Sequence, residues 1–316
     1  MASYRTALPQ LDGGLFLTDA GLETDLIFNH DVAIPEFAAH TLLGDPAGEQ
    51  ALAGYLRGFL ALAAREGTGF VLDSQTWRAQ PYFAAALGDS IEGLRVANHR
   101  AVNFVAALRD EQPATAAPVV LNGLIGPRGD AYAPQEQLAA DEAERYHSVQ
   151  LGWLAETAVD MVTALTFTQS AEAIGAVRAA AAVGLPIVVS FTVETDGVLP
   201  TGQPLGEAIE AVDAGTNGAP AYFMVNCAHP DHFASVLLGS SDAAWTNRVR
   251  GLRCNASRLS HAELDEAEVL DDGDPPELAE QYRQLRLAMP WLNVFGGCCG
   301  SDLRHVTAIA SALAVR

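Results

Sequence analysis

Short apolar runs rich in β-branched residues recur along the chain, each followed by a longer stretch whose apolar residues fall three and four apart. This alternation constrains the fold more than any other feature. A strand, a covering helix and a further strand in the same direction build a parallel sheet, and repetition of that unit defines an α/β protein. The runs at 15–18, 69–73, 118–121, 159–164, 186–191, 221–225, 251–253 and 292–295 read as eight strands. Between them, GEQALAGYLRGFLALAAREG, SIEGLRVANHRAVNFVAALRDE, ERYHSVQLGWLAETA, SAEAIGAVRAAAAVG and ELAEQYRQLRLAM read as helices with one apolar face. One helix per strand pair predicts a (β/α)8 TIM barrel, with residues 1–316 as a single domain. A doubly wound sheet is the alternative, but it usually carries a Gly-rich dinucleotide turn after its first strand, and TDAGLET is not G-x-G-x-x-G.

Composition narrows the function. Hydrophobic residues make up 49% of the 316, enough to fill a core, and 39 acidic against 18 basic residues leave a net charge of −21. Such a surface repels phosphate backbones and anionic lipid, so neither nucleic acid nor membrane is expected as a partner. All 18 basic residues are arginine. The absence of lysine excludes Schiff-base aldolases, lysine-held pyridoxal phosphate and P-loop chemistry. No basic run followed by an apolar one opens the sequence, and no stretch approaches eighteen apolar residues, so a soluble cytoplasmic protein is expected. The oligomeric state is left open. The acidic stretch ELDEAEVLDDGDPPE lacks the alternate carboxylates and closing Glu of a calcium loop and reads as a solvated face.

In a (β/α)8 barrel the chemistry sits at the C-terminal ends of the strands. There the sequence offers Asp19, Ser74, Gln75, Asn122, Thr166, Thr192, Glu194, Asn226, Cys227, Cys254, Asn255, Cys298 and Cys299. Cys227 and the Cys298–Cys299 pair follow strands six and eight, whose ends both face the mouth. Glycines flank the pair in Gly296-Gly297-Cys298-Cys299-Gly300 and allow the sharp turn that two adjacent thiolates need to reach one ion. Three thiolates with a fourth position open is a catalytic zinc arrangement. They overcompensate the charge of Zn²⁺, so the metal suits activation of an incoming thiol better than of water. Cys227 alone also fits simple burial, and the pair fits a structural role. Cys254 reads as buried beside the site, His229 and His232 as loop residues, and His305 as packing or surface on a helix capped by Ser301 and Asp302.

Four segments carry a resemblance: Thr18-Asp19-Ala20-Gly21-Leu22-Glu23-Thr24, Asn122-Gly123-Leu124-Ile125-Gly126-Pro127, Val225-Asn226-Cys227 and Gly297-Cys298-Cys299-Gly300. Through these the sequence resembles the homocysteine S-methyltransferase family of zinc-dependent (β/α)8 barrels across nearly its whole length. The resemblance implies Cys227, Cys298 and Cys299 as zinc ligands, with the thiolate of homocysteine in the fourth place and no catalytic residue beyond it. It implies Asp19 as partner of the acceptor's amino group, with the backbone at Ala20 and Leu22 beside it; Thr166 and Asn226, polar residues at the strand ends, are further candidates for substrate contact. Two departures stand out. A family glutamate after strand four is replaced by Leu165 in Ala164-Leu165-Thr166, for which Glu23 or Glu194 is a candidate substitute, and the tyrosine after strand two is replaced by Trp77.

The partners implied are a small-molecule thiol and a methyl donor. S-methylmethionine, S-adenosylmethionine and betaine each present a cationic methyl centre that Trp77 can attract. Only one helical segment follows the cysteine pair, so no cobalamin or folate module is expected. The rival readings are a relative acting on another thiol and a zinc-binding barrel without turnover.

Overall fold

The structure, a computed structural model, describes residues 1–113, 116–129, 131 and 137–314. Eight strands close into a barrel in chain order: β1 (Phe16–Leu17), β2 (Gly69–Asp73), β3 (Val119–Ile125), β4 (Met161–Phe167), β5 (Ile187–Phe191), β6 (Phe223–Asn226), β7 (Val249–Cys254) and β8 (Val294–Gly297). Every neighbouring pair is parallel, including the closing pair of β1 with β8. The connections carry α1 (Leu22–His30) and α2 (Pro46–Glu66), α3 (Ile91–Asp110), α4 (Ala140–Ala155), α5 (Ser170–Ala182), α6 (Leu205–Thr216) and α7 (Pro230–Gly239). The short α8 (His261–Asp265) and α9 (Pro275–Ala288) lie between β7 and β8, and α10 (Leu303–Ala314) comes last. The expected (β/α)8 barrel is the observed fold. No helix among the described residues is long and apolar enough to cross a membrane.

The helices start where their sequences supply caps. Asp45, Ser90 and Asp274 accept the backbone N–H of the third helical residue in α2, α3 and α9. Successive strand residues face opposite sides, and the two sides have separate cores. Leu17, Phe70, Leu72, Leu121, Val162, Val189, Val225, Leu252 and Phe295 pack outward under the helices. Phe16, Val71, Val120, Met161, Val188, Met224 and Val294 form a second cluster inside the barrel.

Two residues beyond each of these inward positions the same alternation brings Thr18, Asp73, Asn122, Thr163, Ser190, Asn226 and Gly296, and Arg253 joins them from β7. The side chains among them are all buried. The barrel interior is therefore apolar in its N-terminal part and polar in its C-terminal part. This explains where the strand limits differ from expectation. β3 and β4 run on to Ile125 and Phe167 rather than ending near 121 and 164, because Asn122 and Thr166 look like loop residues in sequence and have their hydrogen-bond partners inside the structure.

Candidate functional site at the barrel mouth

A cavity of about 540 Å³ opens at the C-terminal ends of the strands. Cys227, at the end of β6, and Cys298 and Cys299, just past β8, stand together on its wall. The Cys227 sulfur lies 2.8 Å from that of Cys298 and 3.5 Å from that of Cys299. All three sulfurs fall within 4.8 Å of one another, the one cluster of metal-ligating groups found among the described residues. Sulfurs held about 2.3 Å from a tetrahedral ion stand about 3.8 Å apart, so a slight spreading of this triad would place all three around zinc. The donor set fits a soft divalent metal.

Mutual hydrogen bonding splits the thiols. Bonds from Cys227 and Cys299 hold Cys298 well below the usual thiol range, with help from the Arg253 charge, whereas the bond to Cys298 pushes Cys227 well above it. Of the three thiols, Cys298 is therefore the one most readily ionised.

Backbone close approach makes the cluster possible. A Cβ on Gly296 would collide with the Thr18 side chain and stand 2.6 Å from the Asp19 carbonyl, so β8 lies against the end of β1 only with glycine there. Gly300, at φ +77°, is the residue that turns the chain after the pair. From α9, the Tyr282 hydroxyl accepts the Cys254 N–H and donates to the Gly296 carbonyl, both at 2.8 Å, tying β7 to β8 below the cysteines.

Two ligand-side residues adopt left-handed backbone. Thr166 has φ +65° at an irregularity in the β4–β5 register, and Cys227 has φ +54°. Such conformations cost on the order of 1–3 kcal/mol in non-glycine residues and persist where neighbours fix them. Asn226 fixes the first. Its Oδ1 accepts the Thr166 N–H at 3.0 Å and the Ser190 hydroxyl at 2.5 Å, and its Nδ2 donates to Thr166 Oγ1 at 2.7 Å.

Beside the cysteines is a buried ion triad that the sequence does not announce. Arg253 donates through Nη2 to Asp19 Oδ1 at 2.5 Å, through Nη1 to Asp73, and through Nε to the Gly297 carbonyl at 3.2 Å. Asn122 Nδ2 supports Asp73 at 2.7 Å, and Asn122 Oδ1 accepts from Thr163 Oγ1 at 3.1 Å, extending the network across the barrel. Burial works against the guanidinium charge, but Asp73 and Asp19 outweigh it and hold the Arg253 pKa above its usual value. Burial pushes Asp19 up to about 8, with Asp73, Glu23 and Cys298 adding repulsion that Arg253 only partly offsets. Glu23, on the first turn of α1, is pushed up to about 7, again chiefly by burial. For Arg253 the available signal is a charge near the C-terminal end of a barrel strand, while Asp73, closing its strand, offers none of its own. Both stand within their strands rather than just beyond them, where the chemistry of such a barrel is expected.

Asp19, Ala20, Leu22, Glu23, Trp77, Leu165 and Thr166 all line the cavity. The Ala20 N–H donates to the Tyr55 hydroxyl at 3.2 Å and the Leu22 N–H to the Ala20 carbonyl at 3.0 Å, so both already have protein partners. Trp77 donates from Nε1 to the Leu165 carbonyl at 3.1 Å, and the Arg78 guanidinium lies 4.7 Å from its ring centroid. Glu194 is not among the cavity-lining residues and faces His261 Nδ1 at 3.4 Å. Cys254 is fully buried, and burial raises its pKa; His305 is buried too.

The acidic stretch after β7 is not simply a solvated face. Leu264, Asp265, Ala267, Val269, Leu270 and Asp271 wall the cavity. The Ser257 hydroxyl donates to Asp271 at 2.5 Å, and His305 Nε2 lies 2.8 Å from the Asp272 carbonyl, which fixes the segment over the mouth.

The family model for homocysteine S-methyltransferase matches residues 16–313. No curated protein sequence matches the chain. Among solved structures, the metallated form of the homocysteine methyltransferase MmuM from Escherichia coli is similar at a TM-score of 0.76 and 16% identity, covering 96% of this chain and 98% of that one. Its oxidized form gives 0.75 and 17%, with 95% and 97% covered. At this identity the structures attest the fold, while the family match spans almost the whole barrel. The chain therefore belongs to the homocysteine S-methyltransferase family, enzymes that transfer a methyl group to the thiol of homocysteine.

Proposed function

We propose that Cys227, Cys298 and Cys299 hold zinc and that the chain moves a methyl group from an onium donor to the thiolate of homocysteine, giving methionine. The observation that carries this reading is three thiols in mutual contact on the wall of a cavity rich in carboxylates and aromatic rings. When bound, zinc would supply the means to take up a thiol as its thiolate and keep it nucleophilic. The thiolate sulfur forms the new bond to the methyl carbon while the bond to the onium sulfur or nitrogen breaks, its electron pair leaving with a neutral sulfide or amine.

The chain's own residues align the partners and balance their charge. Asp19 and Asp73 share one guanidinium, so the triad with both acids ionised carries −1, and an acceptor ammonium against Asp19 neutralises it. Asp73 thereby offsets the carboxylate that Leu165 lacks. Towards the rim, Glu36, Asp265 and Asp271 line the cavity, with Phe28 and Phe37 each 44% exposed and Tyr82 55% exposed. Acids and open rings together suit a cationic donor such as S-methylmethionine, S-adenosylmethionine or betaine. Arg78 already stands over Trp77 and Phe83, which makes the rim rings the better seats for that cation. We place this chemistry in a reducing cytoplasm, where the three thiols stay free.

Mass spectrometry of methionine formed from homocysteine with each donor in turn, using reduced, zinc-loaded protein, tests the reading. Methionine from one donor fixes donor and reaction together. No methionine from any donor, with zinc bound, overturns it.

A further inference from the structure

The backbone of Cys227 is gripped more heavily than that of either other cysteine. Its N–H donates to the Arg253 carbonyl at 3.0 Å. Its carbonyl faces three side chains from three separate segments: Thr192 Oγ1 at 3.3 Å beyond β5, Asn255 Nδ2 at 3.1 Å beyond β7, and His261 Nε2 at 2.6 Å on α8. The shortest is the bond from His261. This ring is buried, lies 3.2 Å from Thr192 Oγ1, and turns its Nδ1 towards Glu194 at 3.4 Å. Cys227 occupies a left-handed conformation that only outside contacts can hold, and the strongest of these comes from a helix outside the barrel.

We propose that His261 is a positioning residue for the metal site, holding Cys227 in its ligand conformation through the Nε2–H bond to its carbonyl, with the Glu194 carboxylate orienting the ring by accepting from Nδ1–H, so that both ring nitrogens donate. This rests on the reading of the three cysteines as zinc ligands. Partners that orient a ligand typically change metal affinity by about 10- to 100-fold when removed. The function expected of Glu194 is then indirect: it acts through His261. The same α8 segment walls the cavity, so the part of the chain that bounds the donor's space also fixes one ligand.

The test compares wild type, His261→Leu, His261→Gln and Glu194→Gln. Each is loaded with zinc, and release to a chromogenic chelator is timed. Parallel samples carry cobalt(II), whose thiolate charge-transfer and ligand-field bands report the geometry directly. His261→Leu removes the donor and should release zinc at least about 10-fold faster with shifted cobalt bands. His261→Gln places an amide N–H near the same point and should restore release to within about threefold of wild type. Glu194 is partly exposed, so Glu194→Gln keeps the test alive if His261→Leu does not fold, and it should speed release by about threefold. Release from His261→Leu or Glu194→Gln at the wild-type rate overturns the proposal, as does equal loss in the Leu and Gln variants of His261. A wild type that binds neither metal with its thiols reduced overturns the zinc reading itself, and this inference with it.

Discussion

The two ends of the barrel bury charge in opposite ways. At the N-terminal end, Asp160 is completely buried with its carboxylate satisfied by backbone: Ser3 N–H at 2.5 Å, Tyr4 N–H at 2.7 Å and Leu121 N–H at 2.9 Å. Arg5 is spent on carbonyls, those of Ala155, Thr157 and Val159. Asn293 closes the floor by donating to the carbonyls of Gln10 and Gly14, each at 2.7 Å. At the mouth, Asp19 and Asp73 share the Arg253 guanidinium on the cavity that the three cysteines also line, and Asp19, Glu23 and Cys227 all have raised pKa values. The floor's charged groups find their partners within the protein, although Gln10 Oε1 and Asn293 Oδ1 are left without one. The mouth carries a surplus of negative groups that a metal and cationic ligands would relieve. The difference teaches that the charge below is settled by the protein's own backbone, while the charge above is shared among side chains that line an open cavity.

The harshest way to break this contrast is to remove the cation that Asp19 and Asp73 share. Arg253→Met strands Asp19 and Asp73 and should cost about 3–5 kcal/mol in a urea unfolding curve. Adding Asp19→Asn and Asp73→Asn to it should recover much of that loss. A single variant as stable as wild type would show that the triad does not hold the mouth together.

Cys298→Ser should abolish stoichiometric zinc, read by elemental analysis, and with it methyl transfer. Cys254→Ser, buried outside the triad, should lose stability while keeping metal and turnover. Equal zinc content in the two variants would refute the assignment of ligands.

The floor should respond without any effect on chemistry. Asp160→Leu takes the acceptor away from three N–H groups, of which that of Leu121 is buried, and should cost at least about 2 kcal/mol. Its kcat, measured well below the melting transition, should stay at the wild-type value.

The contrast can also be sharpened through pH dependence. A carboxyl that keeps its proton when folded, yet titrates near pH 4 when unfolded, makes the folded state bind more protons between the two pKa values. Burial pushes Asp19 to about 8 and Glu23 to about 7, so the stability of chelator-treated protein should fall as pH rises from about 4 through 8. Asp19→Asn should flatten that slope. A slope of opposite sign would show that Arg253 dominates Asp19 after all.

Much of this protein is legible in one dimension. Alternating strand and helix periods specify the barrel because side-chain direction repeats every two residues in one and every 3.6 in the other. Cys227 and the Gly296–Gly300 segment are recognisable because thiols at strand ends of such a barrel have one place to meet. The ion triad, by contrast, joins residues 19, 73 and 253, and nothing local distinguishes Asp73 from any acid closing a strand. The same holds for the acidic segment over the mouth, whose composition says solvent while Ser257 and His305 fasten it to the site.

The sequence by itself determined the fold, the candidate metal ligands and the family, because each is set by local periodicity or by residues whose chemistry allows few roles. Tertiary structure alone decided the rest. Arg253 claims Asp19, His261 grips Cys227, and Arg78 covers Trp77, the first two being contacts between segments far apart in the chain and the third a matter of how one loop folds over the mouth. Barrel closure sets the long distances, and pairing over them depends on the position of every strand between the partners.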